Sequence, residues 1–272
     1  MAEGDGGMPA IRAVLLDLDD TLIHDRLATE AAVRAAAADL CAQEGLDGAA
    51  VASALRSAAG SLWASGPAAA YCRRIGISAS EGLWGVFALG EDAETAALRE
   101  FVPRYRRAAW AGALRALGRP AGADLCAQLA ERFVHERAER QWLFPETLAV
   151  LSDLRAAGGQ LCLLTNGDRD LQRRKAFAAG ILPLLHHAVV SGELGVGKPE
   201  PAVFQHALGL CGVAAGEALM VGDSRARDIA GAVEAGLRAV WLDRFGEGGD
   251  PAGAWRVLPD LRPLPQLLGG EA

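Results

Sequence analysis

The stretch AVLLDLDDTL, residues 13–22, joins an aliphatic run to a cluster of aspartates. A short apolar run bounded by acidic residues predicts a buried strand of a parallel sheet. Asp17 and Asp19 follow at positions i and i+2 where this strand ends, so both carboxylates can be directed at one ligand. Close carboxylates repel each other, and a hard divalent cation with oxygen ligands would offset that repulsion. An isolated pair of this kind equally fits a solvated acidic turn.

Four further apolar runs predict additional parallel strands. Helical segments of crossover length separate the later runs, and strand alternating with helix indicates a doubly wound α/β sheet. Residues 25–141 are rich in Ala and Arg, with helical periodicity and no convincing strand. They predict a smaller all-helical domain inserted into a core made of residues 1–24 and 142–272. The five strands are expected at residues 13–19, 161–166, 188–192, 218–223 and 239–243.

Polar residues follow the second and third predicted strands. Thr165, Asn166 and Gly167 offer a hydroxyl, an amide and a backbone that an anion can approach closely. Lys198 lies between glycine and proline just before a predicted helix, where its ammonium can neutralise a phosphate. Each feature alone is also compatible with an ordinary turn or an exposed loop lysine.

The fourth predicted strand ends in VGDS and contributes Asp223 and Ser224, and Asp228 follows in the first turns of the next helix. An acidic residue at a helix start is also a common cap. In open parallel sheets, however, ligands bind beyond the carboxyl ends of the strands, where the loops converge. Weak signals at four successive strand ends therefore indicate one shared site.

These four segments resemble the motifs of the haloacid dehalogenase (HAD) superfamily of hydrolases, as DLDDTL, TNG, the lysine of GKPEP, and GDSxxxD. The resemblance covers the whole chain. It implies a Rossmann-like core and likens the helical insert to the cap domain that the superfamily carries between its first two motifs. One departure is Arg227, which stands immediately before Asp228 where many relatives carry asparagine, and which places a cation near the site mouth.

The resemblance implies a role for each residue. Asp17 would be the nucleophile that becomes an aspartyl-phosphate, and Asp19 would protonate the leaving oxygen and then activate water. Mg²⁺ would be held by the carboxylates of Asp17 and Asp223 and by the backbone carbonyl of Asp19. The residues implied to bind phosphate are Thr165, Asn166, Gly167 and Lys198, and those implied to support the site from behind are Ser224 and Asp228.

Asp19 favours cleavage of a phosphate ester, because dehalogenating relatives lack the second aspartate. Phosphonate-cleaving relatives need a cap lysine, and residues 25–141 contain none. We expect a magnesium-dependent phosphatase acting on a small-metabolite monoester, such as a sugar phosphate, an acylneuraminate phosphate or a nucleoside monophosphate. A phosphomutase, a 2-haloacid dehalogenase and a non-catalytic binding module on the same fold remain alternatives.

The composition of the chain indicates which partners and which cellular compartment to expect. The net charge is −7 with scattered basic residues, which argues against nucleic-acid binding. The five cysteines are widely spaced and suit a reducing cytosol. No segment resembles a membrane span or a signal peptide, so we expect a cytoplasmic protein without a membrane partner. We also expect a monomer or a homodimer. Candidates for contact with the substrate, each also explained by burial or solvation, are His24, Trp63, Trp84, Tyr105, Arg106, Arg107 and Trp110.

Overall fold

The computed structural model describes residues 9–268, so the predicted core boundaries at residues 1 and 272 lie outside the described range. A single parallel sheet forms its centre. The strands are β1 (Ala13–Leu16), β2 (Gln160–Thr165), β3 (His187–Val190), β4 (Ala218–Gly222), β5 (Arg238–Leu242) and β6 (Arg256–Leu258). Their order in the sheet is β3-β2-β1-β4-β5-β6. The predicted doubly wound α/β fold is confirmed.

Five of these strands lie at the predicted positions, and the sixth, β6, was not predicted. It pairs in parallel with β5 at the edge of the sheet. Arg256 and Leu258 are half-buried and Val257 is exposed. The strand is three residues long, RVL, and one of them is charged, so its sequence contains no apolar run. An edge strand with solvent on one side escapes a search for buried strands for this reason.

Helices surround the sheet and fill the insert. A π-helical turn at Arg225–Ile229 precedes the helix at Ala230–Glu234. The helices of the insert are α1 (Asp25–Ala36), α2 (Ala38–Glu44), α3 (Gly48–Ala64), α4 (Ala69–Ile75), α5 (Ala79–Gly82), α6 (Ala93–Ala116) and α7 (Ala123–Ala138). The later helices are α8 (Thr147–Ala156), α9 (Arg169–Ala178), α10 (Ser191–Leu194), α11 (Pro201–Cys211), α12 (Ala230–Glu234) and α13 (Leu264–Leu268).

Both faces of the sheet are buried. Val14 and Leu16 contact one apolar cluster, which α8 and α13 help to cover. Ala13 and Leu15 point the opposite way, into a second cluster covered by α11 and α12. Successive side chains of a strand alternate between faces, so a strand buried on both sides reads as a continuous apolar run. This burial explains why β1 was recognisable from its sequence.

The insert has an apolar core of its own. Its buried members come from residues 25–141, apart from Leu171 on α9. Local signals set several helix ends: the side chains of Asp47 and Asp92 accept backbone hydrogen bonds at the starts of α3 and α6, and Gly45 ends α2 in the left-handed conformation. The separate core supports the predicted division into a helical cap and a sheet domain, which stays a prediction.

None of the helices within residues 9–268 combines the length and apolarity that crossing a bilayer requires.

Candidate active site

The carboxyl ends of three strands meet at one point of the sheet edge. Because β1 pairs with both β2 and β4, Leu16 lies opposite Leu163 on one side and Val221 on the other. A polar cavity of about 180 Å³ opens beyond these ends. Of the nine predicted site residues, seven line it: Asp17, Asp19, Thr165, Asn166, Lys198, Asp223 and Asp228.

A buried lysine bridges two of the aspartates. Lys198 Nζ lies 2.7 Å from Asp17 Oδ1 and 2.7 Å from Asp228 Oδ1, and it donates a hydrogen bond of 2.6 Å to the carbonyl of Leu164. Burial and the neighbouring Asp228 raise the pKa of Asp17, while the Lys198 ammonium opposes that rise. The geometry sets an ammonium group beside the candidate nucleophile, where it can also meet phosphoryl oxygens.

Asp17 and Asp228, together with Asp223, form a candidate metal site. Carboxylate oxygens of Asp17, Asp223 and Asp228 lie within 4.8 Å of one another. Burial, followed by the charges of Asp17 and Asp228, raises the pKa of Asp223 to about 8. Seven carboxyl groups line the cavity against two cationic side chains, Lys198 and Arg227. This surplus of oxygen donors and negative charge fits a hard divalent cation such as Mg²⁺.

The side chain of Asn166 fixes the backbone of Lys198. Asn166 Nδ2 donates to the Lys198 carbonyl at 2.8 Å, and the Lys198 N–H donates to Asn166 Oδ1 at 2.8 Å. A Cβ atom at Gly197 would lie 2.7 Å from Asn166 Oδ1, so this pairing depends on glycine there. The side-chain amide of Asn166 therefore has both its oxygen and its nitrogen hydrogen-bonded to the backbone of Lys198. Phosphate binding by Asn166 remains a prediction.

The three remaining predicted residues, Thr165, Gly167 and Ser224, differ in whether they line the cavity and in which groups they contact. Thr165 Oγ1 lies 3.3 Å from Gln172 Oε1 at the cavity wall. Gly167 is not among the residues that line the cavity, and its N–H donates to Ser191 Oγ at 2.9 Å, so its phosphate-binding role stays a prediction. The Ser224 N–H donates to Oδ2 of Asp228 at 2.9 Å, and Oδ1 of the same carboxylate lies 2.7 Å from Lys198 Nζ. The supporting role of Ser224 and Asp228 stays a prediction.

Asp19 is held on both of its carboxylate oxygens. Its Oδ1 lies 2.5 Å from Lys175 Nζ, and its Oδ2 accepts a hydrogen bond of 3.2 Å from Gln172 Nε2. Burial and then the charge of Asp25 raise the pKa of Asp19 to about 6, whereas the ordinary value is 3.8. A carboxyl group with this pKa can hold a proton near neutral pH, as a general acid must.

The sequence did not predict three residues near Asp19. Lys175 and Gln172 contact its carboxylate, and Glu81 contacts Gln172. One signal was present in the composition: among the 27 basic residues only Lys175 and Lys198 are lysines, and both are buried at this site. Glu81 accepts hydrogen bonds from Gln172 Nε2 and the Asp168 N–H at 3.1 and 3.2 Å. Nothing local marks Glu81 as a site residue, because the motif around it is an ordinary capping box.

The residues suggested for substrate contact lie elsewhere within residues 9–268. Trp63, Trp84, Tyr105 and Trp110 are buried in the core of the insert. Arg106 donates to the carbonyls of Gly82 and Gly85. Aromatic residues at helical spacing fill a helical core, which is the simpler of the two interpretations. The candidates that do not line the polar cavity are His24, Trp63, Trp84, Tyr105, Arg106, Arg107 and Trp110.

Comparison with known proteins identifies relatives along nearly the whole chain. Phosphoserine phosphatase of Thermus thermophilus is 39% identical over 259 residues, which cover 93% of this chain and 95% of that protein. The solved HAD-hydrolase YfnB of Bacillus subtilis superposes with a TM-score of 0.66 at 21% identity, over 96% of this chain and 100% of that one. A 2-haloacid dehalogenase of Pseudomonas syringae superposes with a TM-score of 0.55 at 28% identity, over 95% of this chain and 98% of that one.

A family model described as haloacid dehalogenase-like hydrolase matches residues 11–236, a span that contains all four motifs. The resemblance drawn from those motifs is thereby confirmed. This chain belongs to the haloacid dehalogenase-like hydrolase family.

Proposed function

We propose that this protein is a magnesium-dependent phosphatase that hydrolyses a small-metabolite phosphate monoester through an aspartyl-phosphate on Asp17. Asp17 attacks phosphorus while Asp19 gives a proton to the leaving oxygen, and Asp19 then takes a proton from the water that hydrolyses the phosphoenzyme. Lys198 and Thr165 bind the phosphoryl oxygens. The observation that carries the proposal is the convergence of Asp17, Asp19 and Lys198 in one polar cavity.

Magnesium supplies positive charge for the phosphoryl oxygens when it is bound. We propose that the carboxylates of Asp17 and Asp223 and the backbone carbonyl of Asp19 hold it, with Asp228 close enough to contribute. The surplus of carboxyl groups in the cavity supports this ligand set. Lys198 lies 2.7 Å from the carboxylates of both Asp17 and Asp228, so its positive charge offsets part of the negative charge beside the nucleophile.

O-phosphoserine is the first substrate to test. The Thermus thermophilus relative, a phosphoserine phosphatase, matches this chain over nearly its full length. Sugar phosphates, acylneuraminate phosphates and nucleoside monophosphates form the comparison set, since the sequence motifs are similar to those of enzymes acting on them.

Dehalogenation is the second candidate, since a solved 2-haloacid dehalogenase shares the fold at 28% identity. Asp19 disfavours it. Attack on a carbon–halogen bond needs no acid for the departing halide, whereas an alkoxide leaving group needs one. The position and raised pKa of Asp19 have a use in ester cleavage that dehalogenation does not supply.

A screen for phosphate release tests the proposal. The full chain is incubated with each phosphate ester in Mg²⁺ and, in parallel, with a chelator, and halide release from 2-chloropropionate is measured beside it. We expect Mg²⁺-dependent release from at least one ester and no halide. A panel that includes glucose 1-phosphate, with glucose 6-phosphate as the product to look for, separates hydrolysis from mutase activity.

Asp17→Asn is run beside the wild type. The variant keeps the shape of the side chain but lacks the nucleophilic carboxylate, so we expect turnover to fall by about four orders of magnitude or more. Asp153→Asn, an exposed position on α8, is the matched control and should retain full activity. Full turnover by Asp17→Asn, or halide release by the wild type, contradicts the proposal.

A further inference from the structure

Lys175 is a buried cation that the mechanism above does not use. Its side chain is 1% exposed, and its ammonium lies 2.5 Å from Asp19 Oδ1 and 2.8 Å from Asp25 Oδ1. Burying an ammonium group is costly unless carboxylates surround it. In a chain whose other basic residues, Lys198 apart, are all arginines, a lysine at this place serves Asp19 and Asp25 as a compact point charge.

Gln172 completes the hold on Asp19. It lies one helical turn before Lys175 on the same face of α9, and its Nε2 donates to Asp19 Oδ2 at 3.2 Å. The same nitrogen lies 3.1 Å from Glu81 Oε1, and the Gln172 Oε1 faces Thr165 Oγ1. Each oxygen of the Asp19 carboxyl group thus has its own partner on α9. The ion pair with Lys175 and the hydrogen bond from Gln172 act on different oxygens, so together they favour one orientation of the group.

The contacts continue into the helical insert. Asp25, at the start of α1, pairs with both Lys175 and Arg137 of α7. Arg137 is fully buried, donates to Thr29 Oγ1 at 3.0 Å, and has its guanidinium 4.5 Å from the centre of the Trp84 ring. The orientation of Lys175 is therefore set jointly by a sheet-side carboxylate and an insert-side carboxylate.

We propose that Lys175 and Gln172 are positioning residues that fix the Asp19 carboxyl group at the leaving-group oxygen of the ester. This proposal rests on the proposed function, because it assigns Asp19 the same role. Neither residue lines the polar cavity. They act by keeping Asp19 aligned, which matters most when the departing group cannot leave without a proton.

The step they serve is the formation of the phosphoenzyme. An oxygen of Asp17 forms a bond to phosphorus while the bond from phosphorus to the ester oxygen breaks. The proton of Asp19 moves to that ester oxygen, so the products are the free alcohol, the aspartyl-phosphate and an ionised Asp19. In the second step water attacks phosphorus, its proton returns to Asp19, and inorganic phosphate and the Asp17 carboxylate are released.

The dependence of kcat/KM on the leaving group of the ester is a direct measure of how well Asp19 is aligned. Benzyl phosphate releases an alcohol that requires protonation, whereas 4-nitrophenyl phosphate releases a stable phenolate and has a similar size. The ratio of kcat/KM for the two esters reports only the steps up to loss of the alcohol. Phosphoenzyme hydrolysis is common to both esters and does not enter it. Losses of phosphate binding or of folded protein lower both values and leave the ratio unchanged.

The experiment compares the wild type with Lys175→Met, Gln172→Met and Asp19→Asn in Mg²⁺. We expect Asp19→Asn to lower the benzyl to nitrophenyl ratio by about 100-fold, and Lys175→Met to lower it by about tenfold or more. Gln172→Met should lower it in the same direction. Arg174→Gln, which removes a neighbouring exposed cation from α9, is the matched control and should keep the wild-type ratio.

Each outcome has a distinct reading. If the wild type hydrolyses no phosphate ester in the screen, the proposed function fails. If the wild type is active and a folded Lys175→Met keeps the wild-type ratio, the positioning role is wrong while the phosphatase stands. If Lys175→Met does not fold, Gln172→Met decides, and an unchanged ratio in that variant overturns the proposal.

Discussion

Lys198 Nζ lies 2.7 Å from Asp17 Oδ1, an ion pair between side chains 181 positions apart in the sequence. Both groups are nearly removed from solvent. A pair of this kind contributes little compared with an apolar pair of the same shape, but loss of one partner leaves a buried charge without compensation. We therefore expect substitution of either residue to lower the stability of the fold as well as the activity.

Lys198→Met tests that coupling. The variant leaves Asp17 and Asp228 facing each other without a cation, so we expect the free energy of unfolding to fall by about 3 kcal/mol and turnover by at least about 100-fold. Urea unfolding and phosphate release measure the two effects. Arg12→Met, which removes an exposed ion pair with Glu217, should change stability by less than about 1 kcal/mol. Wild-type turnover in Lys198→Met would remove the lysine from the proposed mechanism.

Asp223→Asn should have opposite effects with and without Mg²⁺. Without the metal, the variant removes a carboxyl group whose pKa is raised to about 8 by burial and by its acidic neighbours, so the protein is expected to be at least as stable as the wild type at pH 8. With Mg²⁺ at about ten times its Kd, only the wild type should gain about 1.4 kcal/mol. Thermal unfolding and titration calorimetry measure this difference. Equal Mg²⁺ affinity in both proteins would place the metal elsewhere.

Gly197→Ala should disturb the lysine loop without touching a charge. The new Cβ would lie 2.7 Å from Asn166 Oδ1, so the clamp on the Lys198 backbone must open. We expect a loss of about 1 to 3 kcal/mol in stability and about tenfold in kcat. Gly209→Ala on α11 meets no atom within 4 Å and should be neutral or slightly stabilising. The same result for both glycines would show that the clamp has no effect on turnover.

Asp25→Asn should change the pH dependence of stability. Burial raises the pKa of Asp25, but Lys175 and then Arg137 outweigh it and hold the value at about 2, below the ordinary 3.8. The folded state thus keeps this carboxylate ionised where the unfolded state protonates it. Its contribution, about 2 kcal/mol, is complete above about pH 4 and is lost as the pH falls towards 2.

Urea unfolding of wild type and Asp25→Asn across this range is the measurement. The difference between them should be about 2 kcal/mol at pH 7 and should close near pH 2. Asp153→Asn, at an exposed position, should show no such trend. A difference that stays constant with pH would mean that Asp25 acts by packing and not through its charge.

The sheet and most of the residues proposed for chemistry could be predicted from the sequence. Strands buried on both faces leave continuous apolar runs, and parallel strands bring their carboxyl ends to one edge. Asp17, Asn166 and Asp223 were therefore identifiable from where each run ends, although they are far apart in the chain. The short half-buried strand β6 left no such run and was missed.

The residues that surround Asp19 could not be predicted from the sequence. Lys175 and Gln172 lie within a helix and Glu81 within the insert, and no local pattern distinguishes them from ordinary helical residues. Their contacts arise from the way the insert packs against α9, which depends on many weak apolar contacts between distant segments. The direction of a backbone N–H group likewise depends on distant parts of the chain. The Gly167 N–H donates to Ser191, a residue 24 positions away, and no pattern near Gly167 predicts this contact. Strand ends are local properties of a chain, whereas the partners of a buried charge are not.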